Sequence, residues 1–454
     1  MNRDRSGRGM AGRAWPFFAG AALIMVAHGL QGTLIALRAA HEGFPTAATG
    51  IVMSGYFVGM LAGSTLSPTL LRQVGHVRVF AALASLASVS VLLHALFVEV
   101  VFWTAMRVVT GFCYAGMYVV VESWLNQQAT NRNRGRLLSV YMVTMFAGAA
   151  VGQLLLNVAD PASFDLFILV SILVSLALVP LLLAARPGPR PRRSRRLTLT
   201  ELYRASPLGV VAAVLTGVVH GGLFGMGAIY AREIGLDVGQ VAWFMALVMA
   251  GALFSQWPLG WLSDRLDRRR VMLGAALVGG VAPAAVAAGL VEPAGGGAFA
   301  VMFVLGAAAL PLYSLTVSHV NDYLSPRQMV GASGTLVFVS GCGLIAGPIA
   351  VALAIDAVGP PGFLLCLVVV HAVLAGFIVY RMGRRVSKPV EEQAGYVPAG
   401  TRSSPVVLEL AAEEGRELAG SGDSEAVPEP QPQPQPEAGP EPEPGTGARS
   451  EIRG

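Results

Sequence analysis

Apolar runs about one membrane thickness long follow one another from residue 15 to residue 381, separated by short polar clusters rich in arginine, glycine and proline. A bilayer core needs about 20 predominantly apolar residues per helix. The pattern yields twelve such pieces, near 15–37, 46–70, 79–98, 102–126, 137–158, 164–184, 207–231, 239–262, 271–291, 297–321, 330–354 and 361–381. The expected fold is an all-α membrane protein with twelve transmembrane helices in two six-helix halves. Basic residues precede the first run, as in a signal peptide. That run exceeds 20 residues and leads straight into another, so it is expected to stay as a helix.

Composition supports this reading against a soluble multidomain chain. Of 454 residues, 54% are hydrophobic and 13% charged, and mean hydropathy is +0.61. The formal charge of +5 does not point to nucleic acid, because the arginines lie in alternate short loops. Arg3, Arg5, Arg8 and Arg13 precede the first span. Arg72 and Arg78 separate spans 2 and 3, and Arg132, Arg134 and Arg136 separate 4 and 5. Seven more fall between Arg186 and Arg204, and Arg265, Arg268, Arg269 and Arg270 join spans 8 and 9. The other loops hold little more than Arg38 and Arg232. Arginine is retained on the cytoplasmic side, which predicts a multi-pass protein of the plasma (inner) membrane with both termini cytoplasmic. Cys113, Cys342 and Cys366 fall inside spans and read as small apolar residues, with no disulfide or metal pattern.

The two halves echo each other. At a shift of 192, His28-Gly29 falls on His220-Gly221, Met53 on Met245, Gly59 on Gly251 and Arg78-Val79 on Arg270-Val271. Farther along, a shift of 195 pairs Tyr118 with Tyr313, Ser123 with Ser318, Asn126 with Asn321, Gly148 with Gly343 and Gly152 with Gly347. Paired halves of this kind suit a transporter that rocks about a central site. The expected layout is a cytoplasmic N-terminus at 1–14, half-domains at 15–184 and 207–385, a linker at 185–206, and a tail at 386–454. In the linker, 197–204 has the pattern of a short amphipathic helix. The tail, with Pro428-Glu-Pro-Gln-Pro-Gln-Pro, is acidic and proline-rich and is expected to be disordered.

Gly260-Trp-Leu-Ser-Asp264-Arg265-Leu-Asp267-Arg268-Arg269 resembles the loop signature of the major facilitator superfamily. Arg107-Val-Val-Thr-Gly111 in span 4 resembles that superfamily's R-x-x-x-G element. His76-Val-Arg78, Glu122-Ser-Trp-Leu-Asn126 and Ser318-His-Val-Asn321-Asp322 are similar to the YcaD-like transporter branch. Asp267 replaces the signature's loop glycine. In the first half Pro68, Arg72 and His76 stand for Gly260, Asp264 and Arg268, and only Gly75 keeps the pattern. Gln153 stands where an antiporter-type proline is expected, so an antiporter is not supported.

Two groups of candidate residues follow. For a cytoplasmic gate, the resemblance implies a latch at Gly260, Asp264, Arg265 and Arg268, with Arg72 and Arg78 as its altered counterpart. The polar span ends Trp124 and Asn126, and His319, Asn321 and Asp322, would tie that side together. For substrate or coupling, the candidates are His28, Arg107, Glu122, Gln153 and His220. A charge inside a span is costly and commonly functional, and histidine titrates near neutral pH. By the repeat His28 and His220 face each other across the halves, and Gln153 and Asn157 share a helical face. Glu122 is expected either to pair with Arg72 or Arg78 or to carry a coupling proton. His94 and His371 read as structural. No phosphate-binding loop appears, which argues against ATP-driven transport, and no nucleophile–base arrangement or metal cluster suggests an enzyme.

These features predict a secondary active transporter of a small solute by alternating access, working as a monomer in the lipid bilayer without cofactor or metal; protons are the expected coupling ion, and a facilitator without coupling stays open. The alternative is a non-transporting sensor or scaffold acting through its cytoplasmic tail. The transporter reading expects removal of 386–454 to leave transport intact.

Overall fold

In the computed structural model, residues 4–130, 133–184, 197–396, 398–400 and 404–408 are described. The first half comprises α1 (Asp4–His41), α2 (Thr46–Val74), α3 (His76–Leu96), α4 (Val100–Gln128), α5 (Arg134–Leu154) and α6 (Asp165–Ala184). The short α7 (Leu199–Ala205) belongs to the linker. The second half comprises α8 (Pro207–Glu233), α9 (Val238–Ser263), α10 (Arg268–Ala287), α11 (Gly296–Ala309), α12 (Pro311–Asn321), α13 (Pro326–Val358) and α14 (Pro361–Arg384). Twelve membrane-length spans result among the described residues, with α11 and α12 together forming the tenth.

Helix ends follow from local chemistry. Glu99 caps α4 by accepting from the N–H groups of Val101 and Phe102 at 3.1 and 2.7 Å. Reciprocal capping boxes open α7 (Thr198 with Glu201) and α9 (Asp237 with Gln240). Gly75 turns the chain from α2 into α3 at φ +92°, where a side chain would be strained. Its counterpart Asp267 sits at φ −54° and caps α10 through the Arg269 N–H. The departure from the signature glycine is thus a change from turn to cap.

The tenth span is not continuous as the apolar run suggested. It breaks at Leu310-Pro311, because proline has no N–H to donate and its ring crowds the preceding turn. Asn157 also departs from expectation: α5 ends at Leu154, and a 3₁₀ turn (Leu155–Val158) carries Asn157 to an exposed position off the Gln153 face.

The sequence echo is a set of backbone contacts. A Cβ on Gly59 of α2 would collide with the Val108 carbonyl of α4, and one on Gly251 of α9 with the Phe303 carbonyl of α11. Gly29 and Gly152 likewise seat α1 on α5, as Gly221 and Gly347 seat α8 on α13. Lipid gives helices little hydrophobic reason to associate, so close packing through small residues carries the assembly.

The halves meet toward the face with few arginines. The Ser54 hydroxyl donates to the Ile345 carbonyl at 2.8 Å, and a Cβ on Gly50 would lie 2.6 Å from that of Ala352. Gly50 is near the start of α2 and Ala352 near the end of α13, so this contact closes the arginine-poor face. At the arginine-rich face the chain beyond α14 lies between the halves. The expectation of disorder from 386 onward therefore divides. Residues 409–454 lie outside the described residues, whereas Ala399, Ser404, Val407 and Leu408 are each at most 2% exposed. The expectation for this proximal stretch is corrected: it packs into the protein because side chains of both halves bind its main chain.

Candidate functional site

A cavity lies where the halves face each other at the broken tenth span. Its empty space is about 480 Å³, part of it open to solvent. Met25 of α1, Met142, Met145 and Phe146 of α5, and His220, Phe224 and Met249 of α8 and α9 line it, with Leu310 at the break. Four methionines and two phenylalanines give a soft apolar wall that adapts to shape. His220 Nε2 faces the Ala309 carbonyl at the end of α11 at 3.0 Å, so that nitrogen bears the proton. Discontinuous helices at mid-membrane commonly mark transporter sites.

Behind the cavity, the first half holds a polar cluster. The His28 Nδ1 and Tyr56 hydroxyl are 3.2 Å apart, and the Tyr114 ring meets His28 edge-on at 5.3 Å. The Arg107 guanidinium lies over the Tyr56 ring at 4.7 Å and is 3% exposed, which rules out snorkelling to the interface. Thus His220 sits on the cavity wall and His28 in this aromatic cluster. Gln153 accepts from the Thr33 hydroxyl at 2.6 Å, holding α5 to α1.

Glu122 is fully buried. It accepts from the Tyr141 hydroxyl at 2.7 Å, from the Ser404 N–H at 3.1 Å and from the Ser404 hydroxyl. The expected bridge to Arg72 or Arg78 is not formed. Arg72 is exposed and donates to Thr69, Arg78 is exposed, and Glu122 points instead toward α5. A carboxylate held by neutral donors can gain or lose a proton without breaking an ion pair.

Of the second-half gate candidates, Asp264, Arg268 and Asp322 form one network, with Gly260 beside it. Arg268, 1% exposed, donates to Ser263 Oγ at 2.8 Å, Asp322 Oδ1 at 2.7 Å and the Ala394 carbonyl at 2.6 Å. It also reaches Asp264 at 3.4 Å. Asp322 accepts from the Ala394 N–H and Asp264 from that of Tyr396. Gly260 leaves room for the Tyr396 ring. Burial pushes the Asp322 carboxyl up to about 6, against the pull of Arg268 and the Ala394 N–H. Burial also raises Asp264, opposed by the Tyr396 N–H and Arg268. At Asp267, burial is outweighed by the hydrogen bonds and charge of Arg269, leaving its carboxyl below the usual range. Arg265 stacks on Trp261 at 4.0 Å. His319, with its ring beside Tyr323, and Asn321 are buried next to this network.

At the first-half counterpart a hydroxyl and a ring surround His76, which stands where Arg268 does in the second half. His76 Nε2 and Ser123 Oγ are 2.9 Å apart, and Trp124 packs between Phe17 and His76. Asn126 is half-buried at the helix end. Sequence reasoning missed the methionine wall, although Met142 and Met145 within one span were a signal. It also missed Gln31, one turn from His28, which is 1% exposed with no hydrogen-bond partner for its amide among the described residues. Tyr396 and Ser404 carried no signal at all.

The sequence profile of the Major Facilitator Superfamily matches residues 17–237 and 209–415. An uncharacterized MFS-type transporter, YcaD, of Escherichia fergusonii is 30% identical over 334 residues, 72% of this chain and 85% of the relative. A second uncharacterized MFS-type transporter, from Yersinia enterocolitica, is 30% identical over 335 residues, with the same coverage. Among solved structures, the nucleoside transporter NupG superposes with TM-score 0.67 at 14% identity, covering 81% of this chain and 98% of that one. A bacterial homolog of the human lysosomal transporter Spinster, inward-facing and unoccupied, gives 0.61 at 16% identity, covering 92% and 98%.

Proposed function

The chain belongs to the major facilitator superfamily, and from that premise we propose that it is a secondary active transporter moving a small, largely apolar organic solute by alternating access. The observation that carries this reading is the methionine-lined cavity at the helix break, set above the Gly50–Ala352 closure. A mostly apolar pocket with few polar groups suits a ligand with an apolar body and one hydrogen-bonding group. His220 is the group that would orient it. The arginine-rich face is the cytoplasmic one by the charge rule, so the conformation is inward-facing and both chain ends are cytoplasmic. Glu122, held by neutral donors within the same vestibule, is the proposed proton carrier, and the working unit is a monomer. The vestibule holds the proximal tail within it, which favours transport over a scaffold that displays its tail.

Thermal-shift screening of the purified protein tests the substrate class. Lipophilic compounds with a single polar group are expected to raise the midpoint, and His220→Ala to reduce that shift by at least about tenfold in apparent affinity, a loss of about 1.4 kcal/mol. Ligands confined to strongly polar solutes, or an undiminished response in His220→Ala, would overturn it.

A further inference from the structure

We propose that the arginine-rich vestibule is a groove that binds a peptide through its main chain, and that its occupant is the chain's own proximal tail, described at residues 394–396, 398–400 and 404–408, which competes with solute for the path. The groove reads main chain. Asp322 accepts from the Ala394 N–H at 2.9 Å while Arg268 donates to the carbonyl of the same residue. Asp264 accepts from the Tyr396 N–H at 2.7 Å. Ser314 both accepts from the Ala399 N–H and donates to its carbonyl, at 3.0 and 2.6 Å. Glu122 accepts from the Ser404 N–H. Bonding of this kind is how domains bind extended peptides, with side-chain notches adding selectivity. Two notches are present. The Tyr396 ring lies against Gly260 with its hydroxyl donating to Gln256, and Val407 packs beside Leu138 and Tyr141.

The path of the segment makes it a competitor. It starts on the second half at Asp322, passes Gly400 along the wall of the central cavity, and ends on the first half at Glu122. Ala394, Gly395, Ala399, Gly400 and Ser404 of this segment have small side chains, while Tyr396 takes the notch at Gly260. A solute leaving the cavity toward this face meets the segment, and the two halves cannot close here while it lies between them. The vestibule carboxylates are therefore engaged by backbone N–H groups in the docked state and freed when the segment leaves. Only the competition with solute rests on the transporter reading; the docking itself does not.

The test needs no solute. In a background with Cys113, Cys342 and Cys366 replaced by alanine, Met145→Cys places one thiol in the cavity. Its labelling by a polar maleimide is compared in the full chain, in a chain ending at Lys388, and in a full chain carrying Ala394→Pro with Ala399→Pro. The proline pair removes two N–H donors without touching a membrane helix, so it carries the same prediction if the truncated chain does not remain monodisperse. Labelling is expected to be at least about tenfold faster in both variants, since protection scales with the fraction of time the segment is open. A synthetic peptide of residues 389–408 should restore protection to the truncated chain, and the same peptide with the two prolines should not. Equal rates in the full chain and both variants, or a peptide without effect, overturn the proposal and leave the transporter reading standing.

Discussion

Arg268 shows how one residue carries a difference between two similar halves. Its counterpart His76 meets the Ser123 hydroxyl and the Trp124 ring, whereas Arg268 binds Ser263, Asp322 and the tail carbonyl of Ala394 while buried. Asp322 has the most testable consequence. Its folded carboxyl is at about 6 against 3.8 for an ordinary aspartate. Between these values the folded protein holds a proton that the unfolded chain has released. The stabilising contribution of this group is thus present below about pH 4 and lost as pH rises through about 6. The thermal midpoint in detergent should fall more steeply across that window in the wild type than in Asp322→Asn. Parallel profiles would show that Asp322 does not titrate there. At this scale much of the site was legible. His220, Arg107, Glu122 and the 260–270 loop stood out as polar groups in apolar surroundings. The partner of Glu122 did not, because Ser404 is 282 residues away and comes from a stretch without hydrophobic pattern. Arg72 was plausible by charge alone, but its helix position turns it outward to Thr69.

Among the elements, the glycine contacts and the broken helix decide the architecture. Gly59 and Gly251 occupy matching places where backbone meets backbone, so a side chain must push helices apart. Gly59→Val should destabilise the protein by about 1–3 kcal/mol through overpacking. Gly376→Val, at an exposed position with open space, should be close to neutral. Equal midpoints for the two variants would remove the packing account of the repeat. The twelve spans were readable because each apolar run is about as long as the bilayer core is thick. The break at Pro311 was obscured, since the surrounding run stays apolar while only one residue removes the N–H. Burial of the proximal tail was unreadable for a related reason: its affinity comes from main-chain groups, which every sequence possesses.

For the whole molecule, closure at the arginine-poor face, a cavity between the halves and a peptide-filled vestibule are, on the proposed alternating-access reading, one end state of a cycle. The other state requires the Gly50–Ala352 contact to part and the arginine-rich ends to approach. On the proposed docking the tail leaves for that to happen, so this proposal predicts that its removal speeds transport, where the sequence alone predicts no change. The most direct measurement is exchange in proteoliposomes, using a radiolabelled ligand identified by thermal shift and the chain ending at Lys388. Alternating access predicts that labelled ligand enters faster when unlabelled ligand is inside. An imposed proton gradient should drive net accumulation, which Glu122→Gln should lose while retaining exchange. Binding without any exchange across the membrane would contradict the account.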